Sequence, residues 1–233
     1  MRARRVAGVV AALALVCGCS ASNYDAEYAK RIGEYRVAGE FARLRPTPTI
    51  VGGGIAELRL PTLLVNQLDG TEESKRSTPP FLRDFPGFAA AYEATCSVRD
   101  EQFPVVLTVG VVPTTERRKD EVEDTILQQV RAGGDFDKPA WQKGRELVDA
   151  AGVARKWDVL ELVGQQPFDV IKAGVTTSNR QDGTTEVWVS ADPAQKACVV
   201  LAWRVAQAAA GSLPLPELST LTARTVRVAN PQP

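Results

Sequence analysis

Strand-like runs separated by short turn signals fill the second half of the sequence and restrict the fold more than any other feature. Residues 88–98 and 103–112 are rich in Ala, Val, Tyr and Phe, and Arg99-Asp100-Glu101-Gln102 joins them, which predicts a hairpin. Residues 157–163, 168–177, 184–190 and 197–205 are further strand candidates, with turns expected at 179–183 and at Asp192-Pro193. One long helix interrupts the series. Val122, Ile126, Leu127 and Val130 form its apolar face, Thr114 or Thr115 is its expected cap, and Gly133-Gly134 stops it. Residues 141–151 read as a short helix, and Leu218, Leu221, Thr222 and Thr225 after Pro216 as a closing one. Nearer the start, Ala56, Leu58 and Leu60 alternate with Glu57 and Arg59, so 55–60 reads as a half-buried strand. Strands joined by short turns pair antiparallel. The expected class is therefore α+β, a largely antiparallel sheet with helices packed on it.

An N-terminal helical arm precedes this domain. Tyr24, Tyr28, Ile32 and Tyr35 recur at helical spacing, while Gly33 and Gly39 weaken a single long helix. Residues 47–54 read as a loop, and 70–80, which contain "TEESKRSTPP", as a mobile surface loop. The expected organisation is a leader at 1–18, an anchor, tether and arm at 19–54, one α+β domain at 55–229 and a frayed tail at 230–233.

The first residues carry the clearest address. Arg2, Arg4 and Arg5 precede an uncharged apolar run, residues 6–16. A basic start followed by 7–15 apolar residues marks a secretory signal, and the run is too short to span a bilayer. Val16-Cys17-Gly18-Cys19 then resembles the lipobox of bacterial lipoproteins, in which small residues precede a lipidated Cys. The resemblance covers only this segment. It implies that the Cys19 thiol receives a diacylglyceryl group, that the chain is cut before Cys19, and that the new amine is acylated. Two or three acyl chains anchor firmly, at about 0.8 kcal/mol per buried CH₂. Ser20 after the anchor implies the outer membrane in an organism that has one. Cleavage after Ser20-Ala21-Ser22, as in an ordinary secreted protein, is a second reading, and an apolar first helix of a cytosolic protein is a third.

Composition limits the chemistry. The chain has 233 residues and no His. That removes Ser-His-Asp and Cys-His catalysis, most zinc centres and His-ligated haem. Phosphate-loop and dinucleotide fingerprints are absent from the sequence, so no cofactor is expected. Loss of Arg2, Arg4 and Arg5 from 28 basic residues leaves 25 against 28 acidic ones, with no basic field for nucleic acid. No metal site is expected: the acidic run Asp120, Glu121, Glu123 and Asp124 reads first as a solvated helix face. Cys96 and Cys198 form a candidate disulfide in an oxidising compartment, with two buried free thiols as the other reading. Asp69-Gly70-Thr71 and Asp182-Gly183-Thr184 read as turns, and Trp188 and Trp203 as buried anchors. Phe168, in "VGQQPFD", reads as a structural corner or an exposed partner contact.

The element order, with an opening strand ending in "LRLP", a hairpin, a helix, more strands and a closing helix, loosely resembles the Mog1/PsbP-like fold. That resemblance implies nothing about activity. The functional expectation is a lipid-anchored envelope protein without catalytic residues, bound to the membrane through Cys19 and acting as a binding or scaffolding partner of another envelope protein. Two alternatives stand beside it. One is a His-free carboxylate hydrolase of envelope glycans, drawing on Glu161, Asp169 or Glu186; the other is a small-ligand carrier.

Overall fold

The computed structural model describes residues 26–32, 35, 38–68, 85–133, 135–136, 139–149, 152–192 and 197–228. Cys19, the leader, residues 70–80 and the tail lie outside them. The chain divides into two units, Met1–Ala42 and Arg43–Pro233. In the first, residues 26–32 and 38–40 are helical, as the Tyr and Ile spacing predicts, and Arg31 pairs with Glu27 one turn earlier at 2.8 Å. Among the described residues no helix is long and apolar enough to cross a membrane.

The second unit is built on sheet. A small three-stranded sheet joins β1 (Thr49–Val51), β2 (Ala56–Leu58) and β11 (Arg227–Val228) in the order β1-β2-β11. An eight-stranded sheet runs β3-β4-β5-β10-β9-β8-β6, with β7 also paired to β8. Its strands are β3 (Asn66–Leu68), β4 (Phe88–Val98), β5 (Glu101–Pro113), β6 (Asp135–Phe136), β7 (Trp141–Val148), β8 (Ala154–Lys172), β9 (Val175–Asp192) and β10 (Ala197–Ala206). Every pairing is antiparallel. Among the described residues the unit also has the α-helices α1 (Lys119–Gly133), α2 (Gln207–Ala210) and α3 (Leu215–Arg224), and a single 3-10 turn at Gly52–Gly54. The expected α+β class is therefore the observed one. The unit begins earlier than residue 55, because β1 pairs with β2 and Leu44 bridges to Pro61.

Both faces of the large sheet are covered. On one, Val122, Ile126 and Val130 of α1 pack on Leu160, Leu162, Val187, Val189, Val200 and Ala202. On the other, Trp157, Trp188, Trp203, Leu107 and Leu201 pack with Leu58 of the small sheet and Leu218 of α3. All three tryptophans are fully buried, and Trp157 meets Trp188 edge to face at 6.1 Å. Each contributes roughly 4 kcal/mol or more through its apolar area. The indole N–H groups of Trp157 and Trp203 have no hydrogen-bond partner among the described residues, which costs about 1–3 kcal/mol each and leaves a net gain.

Four local expectations are corrected. Residues 141–148 form an edge strand, not a helix, because the pairing of Trp141 to Leu160 and Val148 to Ala154 outweighs good helix formers. The helix expected from Thr114 or Thr115 begins at Lys119, where the Arg118 backbone N–H donates to the Glu121 carboxylate at 3.0 Å. The turn expected at 179–183 is strand: β8 and β9 form one long hairpin from Asp158↔Val189 to Lys172↔Val175, closed by Ala173 and Gly174 at φ 48° and 80°. Asp182-Gly183-Thr184 therefore lies within β9.

The candidate disulfide is the fourth. Cys96 pairs with Phe103 near the start of β5, whereas Cys198 pairs with Val112 at its other end. Nine residues of strand separate these points, about 30 Å. The two side chains also pack on opposite faces of the sheet, and both thiols are free. Burial pushes the Cys198 thiol up to about 12. In a chain carrying Cys17→Ser and Cys19→Ser, thiol titration of the native protein is expected to modify Cys96 well before Cys198, with no change in melting temperature on adding reductant.

One backbone contact pins the turn leading into β4 against β5. Gly87 sits at φ 64°, its carbonyl accepts the Val111 N–H at 2.8 Å, and an added Cβ would lie 2.4 Å from the Val111 oxygen. Gly53 has φ 65° but open space around it. Gly87→Ala is expected to cost more than about 2 kcal/mol in urea denaturation, and Gly53→Ala only about 1 kcal/mol.

Candidate functional site

Charged side chains collect in several places on the second unit, and three of these are partly enclosed. The first is under α1, where the helical spacing of Lys119 and Glu123 sets both toward β7 and β8. Lys119 Nζ lies 2.7 Å from Asp158 and 3.7 Å from Glu123. Lys143 Nζ lies 3.2 Å from Asp158 and also pairs with Glu123. Asp158 further accepts the Gly144 N–H at 2.6 Å. Burial works against ionising both carboxyls. At Asp158 Lys119, the Gly144 amide and the Glu123 carboxyl overcome it, and the carboxyl falls well below the ordinary range. At Glu123 burial and the neighbouring Asp158 win, and the carboxyl rises. Of the other acids of this run, Asp120 is engaged by Arg118 and Glu121 by the helix start, while Asp124 is exposed. Among the described residues no group of three or more Cys, Asp or Glu is placed to hold a metal ion.

The second place is the opposite face, which holds the carboxylates suited to hydrolysis. Glu161 and Glu186 stand directly opposite in register, so their side chains share a face with Cβ atoms about 5 Å apart. Glu161 is exposed; Glu186 is 9% exposed, and its Oε2 has no hydrogen-bond partner among the described residues. Burial pushes its carboxyl up, Glu161 adds to the shift, and Ser219 of α3, Trp188 and Arg145 oppose it. The Arg145 guanidinium lies 4.7 Å over the Trp188 ring and donates to Thr220 of α3 at 3.3 Å. Asp169 lies elsewhere, near Glu93, whose carboxyl burial and Asp169 both push up. Phe168 is neither exposed nor a corner. It is buried and stacks under Arg204 at 3.9 Å. Arg204 is 2% exposed, and burial pushes its guanidinium down to about 9. Its nearest polar partner is Gln166 at 3.4 Å, and Gln166 is itself fixed by Thr185 and the Gly183 carbonyl.

The third place is a cleft of about 40 Å³ lined by Pro48, Glu57, Arg59, Arg224, Thr225 and Arg227. The small sheet and the end of α3 build it. Arg227 pairs in register with Glu57, and the Arg59 backbone N–H donates to Thr225 Oγ1 at 2.9 Å. Arg224 Nε donates to the Val148 carbonyl at 2.6 Å, which ties the β7–β8 hairpin to the wall of the cleft. Thr225 Oγ1 also donates to the Thr222 carbonyl at 2.8 Å, occupying one of the last acceptors of the helix.

Sequence reading singled out none of these arginines. Arg59 and Arg227 stand in short polar-apolar alternations, "LRLP" and "TVRV", that signal a half-buried strand and nothing more, and Arg224 ends the closing helix. Arg204 had a readable signal, a lone charge inside the apolar run "ACVVLAWRVA". Of the expected site residues, Cys19 lies outside the described residues, and Cys96 and Cys198 are far apart.

Fold and site together define an α+β protein with a small arginine-lined cleft beside its three-stranded sheet. Neither a protein-family model nor a curated protein sequence matches the chain. Among solved structures it is similar to the Saccharomyces cerevisiae Ran-binding protein Mog1p, at 16% identity and a TM-score of 0.41, over 79% of this chain and 96% of that one. A mutant of protein Mog1 gives 17% identity and a TM-score of 0.40 over the same shares, 79% and 96%.

The buried Glu186 makes a pH-dependent stability testable. A carboxyl whose folded pKa lies above its unfolded one favours folding below the unfolded value and loses that contribution as pH rises through the folded value. Glu186→Gln is therefore expected to raise the urea midpoint at pH 7, with the gain shrinking as pH falls towards 4.5, measured by denaturation across that range.

Proposed function

We propose that this chain is a lipid-anchored protein of the cell envelope that binds a protein partner and performs no catalysis. Its anchor is Cys19, whose thiol receives a diacylglyceryl group and whose amine is acylated once residues 1–18 are removed, and its globular unit faces the periplasm or its equivalent. Ser20 favours the outer membrane in an organism that has one.

The observation that carries binding over hydrolysis is the state of the carboxyl groups. Glu123 and Asp158 are engaged by two lysines, and Glu186 lies buried against α3 beside Glu161. A glycosidase needs an acid and a base flanking an exposed sugar linkage. Here the in-register pair has one member withdrawn from solvent. The open polar groups are arginines, which recognise and do not hydrolyse.

Mass spectrometry of the mature amino terminus from native membranes is expected to show a diacylglyceryl Cys19. Cys19→Ala is expected to leave the precursor uncut and to move the protein out of the detergent phase on phase partitioning. A bare Cys19 thiol on a membrane-associated chain, or unchanged processing in the variant, defeats the anchor.

A further inference from the structure

We propose that the cleft formed by Arg59, Arg224 and Arg227 is a binding site for a phosphate group. The inference is independent of the lipid anchor and names a site on the globular unit itself.

Charge decides the class of ligand. Three guanidiniums line the cleft against one carboxylate, Glu57. The end of α3 adds roughly half a negative charge, and Thr225 already occupies part of that acceptor set. The balance is a local excess of between one and two positive charges. Among the described residues neither the Arg59 nor the Arg227 side chain forms an ion pair or hydrogen bond, so their donors face the cleft unspent. Arg224 is held in place through the Val148 carbonyl, so one wall is preorganised.

Size and donor number decide between oxyanions. A volume of about 40 Å³ accommodates about three waters, enough for one oxyanion group and too little for a larger ligand body. A carboxylate is satisfied by one bidentate guanidinium. A tetrahedral phosphate has oxygens for three, and planar guanidinium forks match it. Whatever carries the phosphate remains outside, in solvent. Free phosphate and the headgroup of an anionic lipid share this chemistry.

The test uses the full chain carrying Cys19→Ser, titrated with sodium phosphate while the arginine Nε–H resonances are followed, and with sodium acetate for comparison. Saturable shifts at Arg59, Arg224 and Arg227 are expected, with acetate at least several-fold weaker. Arg59→Gln with Arg227→Gln is expected to weaken phosphate at least tenfold. Glu57→Gln is expected to tighten it several-fold, an effect that a misfolded variant cannot produce. A second arm measures co-sedimentation with phosphatidylcholine vesicles with and without phosphatidylglycerol. Retention on the anionic vesicles that is lost in the double arginine variant identifies a lipid headgroup as the source; phosphate binding without such retention identifies a free phosphate. Absence of saturable phosphate binding, equal affinity for acetate, or binding unchanged by the double substitution overturns the proposal.

Discussion

Strand β10 is buried at all ten of its positions, and the rest of the unit is arranged to satisfy that one demand. A strand with apolar side chains on both faces has no solvent side, so each face needs its own cover. Helix α1 supplies one. The small sheet, α2 and α3 supply the other, around Trp203 and Leu201. The strand also needs neighbours on both edges, and β5 and β9 pair with it along nearly its whole length. Past its end the sheet closes on itself, because the far end of β8 reaches the start of β5 at Glu101↔Lys172 and Gln102↔Ile171.

That closure accounts for the oddest residue in the core. Arg204 sits near the end of β10, where the hairpin of β8 and β9 runs on, and is enclosed with Phe168, Gln166 and Thr185. A buried cation without a carboxylate partner costs several kcal/mol. Lys119 and Lys143 meet the same difficulty in a different way, since two acids share them and their own side chains keep some exposure. Arg59 and Arg227 differ from both. Among the described residues their side chains form no ion pair, and they keep contact with solvent, the condition under which a cation retains the capacity to bind something else.

Legibility in the sequence followed the range of the interaction. The β4–β5 hairpin and α1 were readable because their signals are local: Arg99-Asp100 between apolar runs, and a 3–4 apolar spacing ended by glycines. The β8–β9 hairpin was misread because Gln165-Gln166-Pro167 and Asn179 to Gly183 look like turns, yet they pair with each other, Pro167 opposite Arg180. Their partners hold them as strand, and propensity has no access to partners. The Arg59–Arg224–Arg227 cleft was beyond reach for the same reason. Its two halves are 166 residues apart between Arg59 and Thr225, and only the small sheet brings them together.

The length of the β8–β9 hairpin bears on how the chain reaches its native state. Fifteen pairs in this ladder follow from a single two-residue turn, and the first of them requires almost no loop closure. The pairing of β10 with β5, from Ala197↔Pro113 onward, must instead bring together segments more than 80 residues apart. Contacts of that separation are slow to form. Loop closure therefore favours the long hairpin over the β10–β5 ladder as the earlier of the two to pair.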